Sequence, residues 1–339
     1  MWRPAAPPYT DLVPARSPQT GAPLITATGL YKRYRKTVAV DRLSFDVRPG
    51  VVTGFLGPNG SGKSTTMRLM LGLDHGEGQT LFDGERFSDI RRPMNKVGTL
   101  LEAKPFHPTR TARNHLRMLA SANGVGDKRV DEVMELVGLG TVKRKKPKGY
   151  SLGMAQRLGL AQALLGDPRI LLLDEPTNGL DPHGIHWMRD MLKHLASEGR
   201  TIFVSSHLLS EMQLMADELV VIGRGTMIFN GVVDQFVRDF TQSTVIVRGP
   251  EAAGFVPALE GAGAEVAKGK DGELVISGME IGAVGHLAFT ENVELSELST
   301  RSASLEEAFM SATGSTEEFV AAEPPTAPAT EKADGADNA

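Results

Sequence analysis

The sequence predicts an α/β protein with a second, smaller α+β unit toward the C-terminus. Three observations lead there. Between about residues 24 and 231, short apolar runs at 51–56, 170–173, 201–205 and 219–222 alternate with helical patterns, the rhythm of an α/β core. A glycine-rich segment, 57–62, joins the first of those runs to the helical pattern STTMRLMLGL. From about 244 to 314 a compact β-α-β-β-α-β order emerges, that of a small ferredoxin-like unit.

Along the chain, residues 1–23 are rich in Pro, Ala and Thr without periodicity and read as a disordered leader. The run VVTGFL is the first buried strand, and ILLL at 170–173 is continuous enough to be buried on both faces. In the small unit, strands are expected at 244–248, 265–267, 273–277 and 293–298. Helices are expected near 251–260 and 280–289, with a last one at 305–313. The segment 315–339 carries six acidic residues (Glu317, Glu318, Glu323, Glu331, Asp334, Asp337) against Lys332 alone. Such a Pro/Ala/acidic tail buries too little apolar surface to offset its chain entropy. The expected division is therefore a leader 1–23, a main domain 24–231, a small domain 232–314 and a tail 315–339.

Composition narrows the function. The 339 residues suggest about two domains at roughly 100–200 residues each. A net charge of −4, from 37 basic and 41 acidic residues, argues against a dedicated nucleic-acid binder. There is no cysteine, which excludes disulfides, thiol catalysis and iron–sulfur clusters. No apolar run approaches the roughly 18 residues of a membrane span, and the N-terminus has no signal-peptide core.

The strongest chemical signal is Gly57-Pro58-Asn59-Gly60-Ser61-Gly62-Lys63-Ser64-Thr65, which fits G-x-x-x-x-G-K-[ST] between a strand and a helix. Glycines let backbone N–H groups converge on phosphate oxygens, and the helix N-terminus adds favourable dipole charge. Lys63 is expected at the β- and γ-phosphates, and the Ser64 hydroxyl on Mg²⁺. The run ILLL ends in Asp174-Glu175, at the strand end where α/β proteins bind ligands. Asp174 is expected to hold Mg²⁺, and Glu175 to take a proton from an attacking water.

Further motifs follow in order: Tyr150-Ser151-Leu152-Gly153-Met154-Ala155-Gln156-Arg157, then Glu175-Pro176-Thr177-Asn178-Gly179-Leu180-Asp181-Pro182, then Ser205-Ser206-His207. With the glycine-rich loop, this order resembles the ABC ATPase family over residues 24–231. The resemblance implies a P-loop cassette with a helical subdomain, binding ATP and Mg²⁺. It implies that Ser151 and Gly153 match the family's LSGGQ signature, Asp181 its D-loop aspartate and His207 its switch histidine. Tyr34 then stands where the family stacks an aromatic on adenine. The segment Leu305-Glu306-Glu307-Ala308-Phe309 extends the likeness to the drug- and bacitracin-efflux branch.

Two positions depart from the family pattern. The signature reads YSLGM, with Leu152 for the first glycine and Met154 for the glutamine. Glu102 stands where the family usually has glutamine; a carboxylate there can ligate Mg²⁺ or position water, and can equally be a solvated surface group. A basic run, Lys143-Arg144-Lys145-Lys146-Pro147-Lys148, reads first as a solvated loop, with contact to nucleotide, a partner or anionic lipid as the alternatives. A stripe of Arg110, Arg113 and Arg117 reads first as a solvated face, with permease docking as what the resemblance adds. One cassette without a span implies separate membrane permease subunits, a homodimer sandwiching two ATP molecules, and a peripheral place on the cytoplasmic face of the membrane. The alternative is a non-transport ABC ATPase acting on ribosomes or DNA; the single phosphate loop and the lack of a long heptad insert weigh against it.

Overall fold

The computed structural model describes residues 22–102, 106–107, 109–241, 244–250, 252–269, 272–301 and 304–313. The expected tail, and the expected leader apart from Ala22 and Pro23, lie outside the described residues. In chain order the regular elements begin with β1 (Ile25–Tyr34), β2 (Thr37–Val47), β3 (Val52–Leu56), α1 (Lys63–Met70), β4 (Glu77–Phe82), β5 (Glu85–Arg86) and β6 (Val97–Leu100). Then come α2 (Ala112–Asn123), α3 (Asp127–Leu136), α4 (Leu152–Leu164), β7 (Ile170–Leu173), α5 (Pro182–Ser197), β8 (Thr201–Ser205), α6 (Leu209–Met215), β9 (Glu218–Gly223), β10 (Thr226–Val232) and α7 (Val233–Phe240). The last stretch holds β11 (Thr244–Arg248), α8 (Ala252–Gly261), β12 (Glu265–Lys268), β13 (Leu274–Ser277), α9 (Ile281–Thr290), β14 (Glu297–Arg301) and α10 (Leu305–Thr313).

The central sheet has the order β10-β9-β3-β8-β7-β6 and is parallel except for β10 at its edge. Its inner strands β9, β3, β8 and β7 are buried on both faces, as the sequence of β7 predicts, whereas the edge strand β10 is half-exposed. Leu171 and Leu173 point into a core shared with α2 to α6, while Ile170 and Leu172 point into a second core shared with α1 and an antiparallel sheet, β2-β1-β4-β5. Period-2 alternation thus feeds two different layers from one apolar run. Phe45, Phe55 and Phe203 join the two sheets, with ring centroids 5.0 to 6.0 Å apart.

The C-terminal sheet, β12-β13-β11-β14, is antiparallel throughout, and its order is ferredoxin-like. Val245, Val247, Leu274 and Ile276 pack on one face against Phe255 and Leu259 of α8 and Val284 of α9. The strand expected at 293–298 forms instead at Glu297–Arg301. Val293 and Leu295 mimic strand alternation, but they fill the small core from an irregular segment pinned by Ser296 N–H donating to Arg248 O at 2.8 Å.

The core also divides the chain differently from the sequence expectation. Helices α7 and α10, expected within the small domain, bury Phe236, Leu305, Ala308 and Phe309 in the larger core. Phe236 stacks with Phe229 and Phe240 at 5.0 and 4.8 Å. A reciprocal cap starts α10: Glu307 N–H donates to Ser304 Oγ at 3.1 Å, and Ser304 N–H to Glu307 Oε2 at 2.9 Å. Leu305 N–H donates to Gln213 Oε1 of α6 at 3.1 Å. The apolar face of α10 is local, but its partner is distant in sequence, so the pattern alone did not reveal which core it joins.

Phe236 is fully buried, so Phe236→Ala is expected to cost roughly 3–5 kcal/mol. This will appear as a lowered urea midpoint for the cassette. A shift below about 1 kcal/mol would remove α7 from that core.

Candidate nucleotide site

The glycine-rich loop leaves the buried end of β3 and enters α1 through Gly62, whose φ of 104° is open to glycine and strained for other residues. A side chain there would also collide with the Ala39 carbonyl of β2. The loop is braced from outside: Gly225 N–H donates to Ser61 O at 2.9 Å, and Asp41 N–H to Gly225 O at 2.8 Å. The β9–β10 turn and β2 therefore hold its shape. Lys63 is buried, and its ammonium donates to the carbonyls of Gly57 at 2.6 Å and Pro58 at 3.2 Å. Burial lowers its pKa, against the raising influence of the Glu175 and Asp174 carboxylates. Asn59, Gly60 and Ser64 are exposed and Thr65 half-buried, so backbone and hydroxyl donors at the helix start face outward.

Three neighbouring strands deliver the charged groups. β8 lies between β3 and β7, and all three end on the same side of the sheet. Asp174 and Glu175 follow β7, with Asp174 N–H donating to Leu100 O at 2.7 Å. Glu175 has a left-handed backbone, φ 49°, a strained conformation of the kind found at functional sites. From the end of β8, the Ser205 hydroxyl donates to Asp174 Oδ1 at 2.5 Å and accepts from Glu175 N–H at 2.9 Å. Two residues later, His207 meets Glu175 Oε2 twice, through Nδ1 at 2.5 Å and through its N–H at 3.3 Å. Sequence reasoning singled out Asp174, Glu175 and His207 but missed Ser205. Its signal was slight, the first polar side chain closing the apolar run 202–204.

The donors suit a hard divalent cation. Ser64 and Asp174 offer oxygen ligands, and Asp174 Oδ2 accepts no hydrogen bond among the described residues. No group of three or more His, Asp or Glu that could enclose a metal occurs among the described residues. Mg²⁺ takes one or two carboxylates together with phosphate oxygens rather than a protein cage, and Ser64 and Asp174 carry oxygen donors of the kind it needs.

The remaining expected residues fall into two groups. Tyr34, at the end of β1, keeps its ring half exposed while its hydroxyl donates to Asp74 Oδ2 at 2.9 Å. Asp74 in turn is gripped by Arg68 of α1 at 3.0 and 3.1 Å, so the ring is tied to the helix behind the loop. Asp74 and Arg68 were not singled out from sequence. Ser151 caps α4 by accepting from Met154 N–H at 3.2 Å, and Asp181 caps α5 by accepting from Gly184 N–H at 2.8 Å. The two caps adjoin: Leu180 lies against Gly153, and Leu152 against Gly179. No hydrogen bond among the described residues joins Ser151, Gly153 or Asp181 to the glycine-rich loop, the carboxylates or His207. No hydrogen bond among the described residues joins Glu102 to the cluster either. It is exposed past the end of β6, and its charge acts, behind Asp74, on the Arg68 guanidinium.

The two basic features separate. Arg113 is paired with Asp131 at 2.7 and 2.9 Å and holds its carboxyl well below the usual range, while Arg117 pairs with Asp127 at 2.9 Å. These two arginines join α2 to α3. In the run before α4, Lys143 pairs with Asp131 at 3.1 Å, whereas Arg144, Lys145, Lys146 and Lys148 are exposed.

The fold and the loop define a P-loop nucleotide-binding protein. Comparison with known proteins narrows this. A family model described as ABC transporter matches residues 40–178, and a domain of unknown function, DUF8746, matches 243–306. The chain is 39% identical over 295 residues to the uncharacterized ABC transporter ATP-binding protein YhcH of Bacillus subtilis, covering 85% of this chain and 95% of that one. It is 43% identical over 209 residues to the bacitracin transport ATP-binding protein BcrA of Bacillus licheniformis, covering 60% and 68%. It is 36% identical over 212 residues to the lantibiotic transport ATP-binding protein SrtF of Streptococcus pyogenes, covering 62% and 92%. A solved structure of an ATP-binding subunit of an ABC transporter aligns at a TM-score of 0.58 and 27% identity, over 64% of this chain and 93% of that one. The chain belongs to the ABC transporter ATP-binding protein family.

The contact at Gly62 yields a sharp expectation. Gly62→Ala combines a left-handed backbone, at roughly 1–3 kcal/mol, with the collision at Ala39. Affinity for a fluorescent ATP analogue is expected to fall at least about tenfold, since 1.4 kcal/mol is a factor of ten. Unchanged affinity would show that the loop does not require this geometry.

Proposed function

We propose that this chain is the ATP-hydrolysing subunit of a membrane efflux transporter, working as a homodimer on separate permease subunits at the cytoplasmic face. The observation that carries the reading is the Glu175–His207 contact at 2.5 Å, at strand ends beside the glycine-rich loop. A carboxylate in that place can accept the proton of an attacking water, and the imidazole can orient it. Lys63 would exchange its two loop carbonyls for β- and γ-phosphate oxygens, and backbone N–H groups from Asn59 to Thr65 would complete the cradle. Mg²⁺, held by Ser64 and Asp174, would neutralise phosphate charge. Tyr34 would stack on adenine, its hydroxyl already anchored through Asp74.

The signature is the other half. Ser151 and Gly153 open α4 at a helix N-terminus, a place suited to a γ-phosphate. Since no hydrogen bond among the described residues joins Ser151 to its own loop, a second copy would supply it. Asp181, capping α5 beside the signature, would lie at the same junction. Binding of ATP between two chains would close the dimer and hydrolysis would release it, a ligand-driven two-state device. No helix among the described residues is long and apolar enough to cross a membrane, which is consistent with a transport path in other chains. Export as the direction follows the bacitracin and lantibiotic transport relatives, and the substrate itself would be chosen by the permease. Glu102, exposed past the end of β6, would be available to Mg²⁺ or to position water.

Glu175→Gln keeps the shape but cannot take the proton. Steady-state hydrolysis is expected to fall by about 10²–10⁴-fold, with ATP binding retained and an ATP-dependent dimer visible by size-exclusion chromatography. Near-normal turnover in this variant would overturn the reading.

A further inference from the structure

Ser205 lies at the last position of β8 and is fully buried. Along β8, Ile202 and Val204 enter the larger core and Phe203 the core beneath α1, so alternation sends Ser205 to the side of α1 and Lys63. A buried hydroxyl at this point must find partners, and Ser205 finds two in the candidate site. It donates to Asp174 Oδ1 and accepts from Glu175 N–H, using both sides of the hydroxyl. The first bond ties one oxygen of the Asp174 carboxylate and leaves Oδ2 without a hydrogen bond among the described residues. The second satisfies the N–H of a peptide whose following residue is held at φ 49°.

From this geometry we infer that Ser205 is a positioning residue for ATP hydrolysis: one hydroxyl sets the metal-facing oxygen of Asp174 and the backbone that aims Glu175. The inference rests on the proposed roles of those two carboxylates. Ser205 reaches nucleotide and water only through them. Outer partners that orient a metal ligand typically alter metal affinity or activity by about 10–100-fold when removed. The same hydroxyl links β8 to β7 immediately before His207, so the imidazole and the carboxylates are aligned by one strand end. Loss of the hydroxyl would leave Asp174 Oδ1 and Glu175 N–H without their shared partner while the apolar layers of β8 stay intact.

The test compares full-length wild type, Ser205→Ala and Ser205→Thr, with Glu175→Gln in parallel and folding followed by urea midpoint. Ser205→Ala is expected to lower kcat by about 10–100-fold, with the KM for ATP at saturating Mg²⁺ changed less than about threefold. Mn²⁺ binding in the presence of a non-hydrolysable ATP analogue, read by electron paramagnetic resonance, should weaken by a comparable factor. Ser205→Thr, which keeps the hydroxyl, should restore metal affinity. Wild-type-like Mn²⁺ affinity in Ser205→Ala overturns the inference, as does failure of threonine to restore it. An active Glu175→Gln would instead overturn the underlying assignment of the base, so the two failures are distinguishable.

Discussion

The site depends on the end of β8 lying between the ends of β3 and β7. Parallel pairing places Phe55 beside Ser205 and Leu173 beside Val204, so the glycine-rich loop, the carboxylate pair and the histidine emerge together. Each group then needs only a short reach: Lys63 feels both carboxylates, Ser205 touches Asp174 and Glu175, and His207 touches Glu175. A parallel sheet buried on both faces is costly to distort because each strand packs into two cores. That rigidity permits a strained φ at Glu175 and a loop that tolerates no side chain at Gly62.

Around this centre, the contacts that hold the loop are separate from those that hold the start of α4. The glycine-rich loop is braced by Gly225 and Ala39, and Tyr34 is tied through Asp74 to α1. Ser151 and Asp181 cap α4 and α5, whose starts adjoin through Leu152, Gly153, Gly179 and Leu180, and the Arg113–Asp131 and Arg117–Asp127 pairs join α2 to α3. At the far side, α6 follows the His207 turn and carries Gln213, which accepts from the first turn of α10. The C-terminal sheet is thus attached through α7 and α10, whose apolar faces lie in the cassette core.

Legibility in the sequence followed the range of the interaction. The loop 57–65 and the run ending at Asp174-Glu175 are contiguous patterns, and their chemistry could be read from residue type and spacing. Ferredoxin-like order near the C-terminus was also visible, because its elements are short and amphipathic. Ser205 was not, since its role arises from β8 and β7 being neighbours in space. The same holds for Arg113 and Arg117, a stripe on α2 whose partners are on α3, and for α10, whose apolar face fits either core until Phe236 is seen beneath it. Glu102 differs again: its position in the motif order suggested the site, and its side chain is exposed past the end of β6 with no hydrogen bond to the carboxylates among the described residues.

The account's central claim is that each working site is split, with one chain supplying the loop, carboxylates and histidine and the other supplying the signature at Ser151. The most direct measurement is ATP hydrolysis by mixtures of two disabled chains, Ser151→Arg and Lys63→Ala. Their heterodimer holds one site with both lesions and one with neither. Each variant alone is expected to be inactive, and mixing to restore part of the wild-type rate, rising with the fraction of heterodimer. No recovery on mixing in heterodimers shown to form, or full activity of Ser151→Arg alone, would contradict it.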